Sequence, residues 1–159
     1  MNRKIASLIV AGCSALLATD AHGQKLSWSK RLTIEDVRCL NELIRGSHYT
    51  DVTADERHKL ARTVRVSHTD LNGSRRKNYI YLFDNIGWCG SAGCTVLIGE
   101  RWADRLCHLL YSGSGWFAAT LLSQRDHGYH RLYLPCEIRF DGRQYQDVHE
   151  DCPNANVIH

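Results

Sequence analysis

From Thr33 onward the apolar positions of this chain repeat first at helical spacing and then at strand spacing. Ile34, Val37, Leu40, Leu43 and Ile44 fall on one helical face, Thr33 offers a capping hydroxyl with Asp36 three residues on, and Gly46 supplies the stop. Thr53 and Glu56 repeat the capping arrangement ahead of a second helix of about two turns over 54–61, too short to be stable without packing.

From Thr63 the period shortens to two. Val64 and Val66 alternate with polar neighbours, Asp70-Leu71-Asn72-Gly73 carries turn chemistry, and Tyr79-Ile80-Tyr81-Leu82-Phe83 returns as a second strand, so a hairpin is expected. Segments 95–98, 106–111, 116–122 and 129–134 read as further strands, the middle two turning at Ser112-Gly113-Ser114-Gly115. Ile138-Arg139-Phe140 then meets 143–148 across Asp141-Gly142, a two-residue turn signal. The expected fold is α+β, with N-terminal helices packed on an antiparallel β-meander and disulfides stabilising the whole.

The N-terminus sets the compartment. Met1-Asn2-Arg3-Lys4 is a short basic segment, and the apolar run over 5–12 suits a secretory signal but is too short to span a bilayer. Two cleavage readings stand. Thr19-Asp20-Ala21 is a small-residue site that would end a signal over 1–21, whereas Val10-Ala11-Gly12-Cys13 resembles a bacterial lipobox that would leave Cys13 as an acylated N-terminus. The remainder divides into a single α+β domain over 22–150 and a C-terminal tail over 151–159. Export predicts a periplasmic, outer-membrane-associated or secreted protein, in contact with a membrane only through a lipid on Cys13.

Export also explains the cysteines. Setting Cys13 aside from the seven leaves an even set, Cys39, Cys89, Cys94, Cys107, Cys136 and Cys152, the pattern of a disulfide framework in an oxidising compartment. Cys89 and Cys94 bracket Gly90-Ser91-Ala92-Gly93, where two glycines let the backbone turn sharply enough for a local bond. The other four allow three pairings, of which we favour Cys39 with Cys107, locking the first helix to the sheet, and Cys136 with Cys152, fastening the tail.

Charge narrows the partners. The chain has 20 Lys and Arg against 17 Asp and Glu, and removal of Arg3, Lys4 and Asp20 leaves a near-neutral domain. Arg75-Arg76-Lys77 is the one compact basic cluster and lacks interleaved aromatics, so it reads as a hairpin tip and no nucleic-acid partner is expected.

No catalytic set assembles along the chain, and a non-enzyme is expected. Trp88-Cys89-Gly90 opens like a thioredoxin motif, but Cys94 lies five positions on from Cys89 and precedes a β-forming run, not a helix start. A thiol-disulfide oxidoreductase using Cys89 and Cys94 is therefore the catalytic alternative. His127 and His130 lack further ligands at metal-site spacing, and Glu100, Asp104 and Asp126 are joined to them by no motif, so neither metal nor cofactor is expected. Asp70 and Asn72 begin like a calcium loop, yet Arg75 and Arg76 stand where acids are wanted. Neither Ser91 nor Ser114 lies in a nucleophile elbow.

The stretch from Tyr81 through Trp88-Cys89-Gly90-Ser91-Ala92-Gly93-Cys94 to Ile98, with Gly128-Tyr129-His130 and 138–145, resembles small exported bacterial proteins of unassigned function that carry a Trp-Cys-Gly-x-x-Gly-Cys motif. The resemblance covers about a third of the chain; it implies export and a compact sheet domain, and transfers no catalytic residue. A stapled exported domain of this kind is suited to bind an envelope macromolecule, a cell-wall hydrolase among them, as an inhibitor or immunity protein. Trp88, Ser91 and Trp116 are the expected contact residues. A purely structural envelope protein is the remaining alternative.

Overall fold

The computed structural model describes residues 23–47, 52–74, 76–85, 87–91, 93–104, 106–134 and 136–148. The expected signal over 1–21 with Cys13, Arg75 of the basic cluster, and the expected tail over 151–159 with Cys152 lie outside the described residues.

Two helices form where the capping signals stand. Helix α1 (Ile34–Gly46) closes a reciprocal box in which the Thr33 hydroxyl accepts from the Asp36 N–H at 3.2 Å and the Asp36 carboxylate accepts from the Thr33 N–H at 2.7 Å. Helix α2 (Ala54–Thr63) repeats the box with Thr53 and Glu56 and runs two residues beyond the expected end. The buried stripe of α1 is Asp36, Cys39, Leu40, Leu43 and Ile44, while Ile34 is 78% exposed. Asp36 can take the inward position because its carboxylate is satisfied by Thr33 and by His68 Nε2 at 2.8 Å. Burial pushes the Asp36 carboxyl up, but the hydrogen bonds from Thr33 and His68 outweigh it and hold the group below the ordinary carboxylate range.

The strands form two antiparallel sheets. The first contains β2 (Val64–Thr69), β3 (Asn78–Phe83), β4 (Cys89–Gly90), β5 (Gly93–Arg101) and β6 (Cys107–Gly115). Strand β5 pairs with β6 along one edge, and β3 and β4 share its other edge end to end. The second sheet runs β1-β7-β8-β9-β10, built from β1 (Gln24–Lys25), β7 (Thr120–Asp126), β8 (Tyr129–Tyr133), β9 (Glu137–Phe140) and β10 (Tyr145–Asp147). Neither sheet closes into a barrel, and the fold is α+β with helices on an antiparallel sheet, as the sequence predicts. The meander is nonetheless split between two sheets.

The first sheet is the middle of three layers. Tyr79, Tyr81, Phe83 and Leu97 face the helices with Leu40, Leu43, Ile44 and Leu60, whereas Ile80, Leu82, Val96 and Ile98 face the second sheet with Leu121, Leu132, Ile138 and Phe140. Every residue of β3 is buried, which is why it reads as an unbroken apolar run instead of an alternating one.

The expected turn at Ser112-Gly113-Ser114-Gly115 is instead the end of β6, and the chain turns later, over 116–119. These glycines serve close packing. The place of a Gly113 side chain is taken by the Tyr111 ring, and that of Gly115 by a Val96 methyl. The strand expected over 116–122 accordingly starts at Thr120.

Two disulfides are defined among the described residues. Cys39–Cys107 ties α1 to the start of β6, and Cys89–Cys94 bridges directly paired residues of β4 and β5. Cys136, between β8 and β9, is also disulfide-bonded.

Candidate binding surface

The strands of the middle sheet end together at two opposite poles. One pole gathers Val64, Phe83, the Cys89–Cys94 hairpin and Gly115, because β2 and β5 start where β3 and β6 finish. Trp88, Ser91 and Trp116 all fall at this pole, but not on one face.

Trp88 lies on the helix side. Its ring stacks on Phe83 with centroids 4.8 Å apart and planes at 25°, its N–H donates to the Asn85 carbonyl at 3.0 Å, and its carbonyl accepts from the Thr95 N–H at 2.7 Å. The residue is half-buried, partly core and partly surface. Ser91 is exposed at the hairpin tip.

Trp116 lies in the crossover between the sheets and is 43% exposed, with Phe117 beside it at 40%. They differ in how they are held. The indole of Trp116 rests against Gly93, where an added Cβ would come within 3.3 Å of the ring. Phe117 meets Trp28 edge-on at 6.5 Å, and the Trp28 Nε1–H donates to the Phe117 carbonyl at 2.9 Å. The Arg65 guanidinium sits 4.3 Å from the Phe117 ring centre and is itself held by Asp84 at 2.8 and 3.0 Å. The result is an exposed aromatic edge in which Phe117, braced by Trp28 and Arg65, has little freedom left to lose on binding.

Gly93 holds this corner together. Its φ of +116° belongs to a region that side chains avoid, and an added Cβ would stand 2.8 Å from the Gly115 carbonyl oxygen. The cysteines close a strand hairpin, so neither stands at the helix start where thioredoxin-like chemistry places its attacking thiol.

The opposite pole holds a constellation that the sequence reading passed over. Glu100 is fully buried and accepts from Asn72 Nδ2 at 2.9 Å, Trp102 Nε1 at 3.0 Å and the Tyr129 hydroxyl at 2.8 Å, with Arg76 Nη1 at 3.9 Å. Burial, reinforced by the hydrogen bond to Glu100, raises the Tyr129 hydroxyl and keeps it a donor. A carboxylate so enclosed, bonded to the β2–β3 loop, the end of β5 and β8, is a clamp between the sheets and has no open side for a substrate. Its signal in the sequence is its phase, since Val96, Ile98 and Glu100 all point to the same inner face.

Asp70 caps the β2–β3 loop by accepting from the N–H groups of Asn72 at 3.1 Å and Gly73 at 2.6 Å, an Asx turn. His127 lies in the β7–β8 turn, and His130 is a strand residue whose Nδ1 contacts the Leu122 carbonyl at 2.6 Å. Among the described residues no three His, Cys, Asp or Glu side chains converge as metal ligands.

No protein-family model, curated protein or solved structure matches the chain.

Proposed function

We propose that this chain is an exported binding protein of the bacterial envelope that docks a protein partner, a cell-wall hydrolase acting on peptidoglycan, through the Trp116–Phe117 edge beside the disulfide-closed hairpin. It works as an inhibitor or immunity protein, and needs no catalytic residue, cofactor, metal or nucleic acid. The observation that carries the reading is the pair of adjacent exposed rings at one pole, Phe117 among them braced by Trp28 and Arg65. Large aromatic side chains held rigid before contact are the common energetic centres of protein interfaces, and Ser91 at the hairpin tip supplies a polar rim beside them.

The test is a titration of the oxidised protein against purified lysozymes, lytic transglycosylases and peptidoglycan amidases, with hydrolase activity followed in parallel. A one-to-one complex that blocks one of these enzymes supports the reading. The alternatives give other results: an oxidoreductase using Cys89 and Cys94 reduces or exchanges a model disulfide, and a structural envelope protein does neither.

A further inference from the structure

The Cys89–Cys94 bond lies where a change in its redox state is felt at the aromatic edge. Strand β4 is two residues long and, among the described residues, pairs with β5 alone. The bond draws this pair together, for the Cα atoms of Cys89 and Cys94 stand 3.8 Å apart, whereas unlinked antiparallel neighbours keep about 4.5–5.5 Å. Opening it lets the hairpin spread by about 1 Å. Both candidate tryptophans border that movement. Trp88 precedes Cys89, stacks on Phe83 and accepts through its carbonyl from the Thr95 N–H, and Gly93, next to Cys94, meets the Trp116 indole.

The two defined disulfides differ in access and in what they hold. Cys39 and Cys107 are 2% and 9% exposed, and their bond closes 68 positions and fastens α1 to the sheet. The Cys89–Cys94 bond closes 5 positions, so the fold as a whole loses less when it opens. Cys89 is partly exposed while Cys94 is buried, so an incoming thiolate reaches Cys89 Sγ first. That sulfur lies 3.2 Å from the Phe83 carbonyl oxygen, which gives the thiol produced by reduction an acceptor already in place.

We propose that Cys89–Cys94 is a redox switch on the docking edge, opened by a protein dithiol, with the oxidised hairpin as the form that docks and the reduced hairpin as the form that releases. A thiolate of the dithiol attacks Cys89 Sγ, the bond between the two sulfurs breaks, and Cys94 leaves as a thiolate and takes up a proton. The second thiol of the reductant, as its thiolate, attacks the mixed disulfide and releases Cys89, which is protonated in turn. Two electrons and two protons thus pass from the dithiol, which departs as a disulfide, to the cysteine pair. The pair is consumed in the exchange and catalyses nothing. This inference regulates the docking edge and rests on that reading for its consequence, while the opening of the hairpin is testable alone.

The oxidised full chain is equilibrated in mixtures of reduced and oxidised dithiothreitol, alkylated, and mapped by mass spectrometry. A parallel NMR series follows the indole N–H resonances, assigned by their loss in Trp88→Phe and Trp116→Phe. The expected result is alkylation of Cys89 and Cys94 under milder conditions than Cys39 and Cys107, in a chain that keeps its folded spectrum, with Trp88 and Trp116 shifting and Trp102 at the other pole unmoved. Cys89→Ala/Cys94→Ala should give no indole response to the dithiol. Opening of Cys39–Cys107 first or together with the hairpin, unmoved Trp88 and Trp116 in the selectively reduced protein, or a full response in the alanine variant would overturn the assignment. Selective reduction should weaken a hydrolase complex about ten-fold or more, and an unchanged affinity would refute the switch alone. Shifts at both indoles without any hydrolase complex would refute the partner reading and leave the opening of the hairpin standing.

Discussion

Removing the two defined disulfides separately should produce unequal losses, because their loops differ greatly in length. Cys39 and Cys107 are 68 positions apart, and loop-closure entropy for a ring of that size is worth about 4 kcal/mol near room temperature. Cys89 and Cys94 are 5 positions apart, for which the same relation gives about 2 kcal/mol. Each pair buries sulfur that alanine would remove, Cys39 at 2% exposure and Cys94 at 6%, so the packing cost is shared and the difference between the variants reports the loops. Equilibrium urea unfolding of Cys39→Ala/Cys107→Ala and Cys89→Ala/Cys94→Ala, without reductant, reads this directly. With a slope of about 2 kcal/mol per molar urea, the two midpoints should lie about 1 M apart, the long-loop variant being the less stable. Equal midpoints, or a lower midpoint for the short-loop variant, would refute the view that the long bond acts mainly by confining the unfolded chain.

Other consequences concern single positions. Glu100→Leu leaves the Asn72, Trp102 and Tyr129 donors without their acceptor and should cost about 3 kcal/mol or more in urea unfolding; a loss under about 1 kcal/mol would show that the network is not a clamp. Gly93→Ala should cost about 1–3 kcal/mol through its positive φ and the Gly115 carbonyl, whereas Gly90→Ala, with open space at its Cβ, should stay within about 0.5 kcal/mol of wild type. Asp36→Asn should cost about 1.5 kcal/mol at neutral pH. The folded Asp36 carboxyl titrates below the ordinary 3.8, so its contribution is complete above that pH and fades as the pH falls through the lower folded value. Denaturation curves of wild type and Asp36→Asn should therefore converge below about pH 3.8, and a constant gap down to pH 2 would contradict the assignment.

Much of the fold was legible where a local pattern has one physical meaning. The capping boxes at Thr33 and Thr53 mark both helix starts because a side-chain acceptor followed by an acid three residues on satisfies orphan N–H groups nowhere else so economically. The stacking of two sheets was not legible, since an antiparallel meander has the same alternation whether consecutive strands pair within one sheet or cross to another. Gly113 and Gly115 were misread because glycine marks a turn and a close contact alike, and only the Tyr111 ring and Val96 methyl distinguish them. At the pole proposed to bind, Trp88, Ser91 and Trp116 could be picked as residues near a Gly-rich turn, but their partition between two faces depends on strand phase and on the crossover. Trp28 lies outside every periodic segment and Phe117 in a run that reads as strand but is a turn, and their contact spans 89 positions of chain, so nothing local announces it.

The central claim is that the crossover aromatics dock a hydrolase, and calorimetric titration of wild type and Trp116→Ala against the panel of cell-wall hydrolases tests it most directly, with Leu106→Ser as an exposed apolar change at the other pole. The account predicts one saturable one-to-one complex, weakened about 30-fold by Trp116→Ala and unaltered by Leu106→Ser, in keeping with the loss of a central aromatic anchor. No saturable complex with any hydrolase, or one equally indifferent to Trp116→Ala and Leu106→Ser, would contradict it.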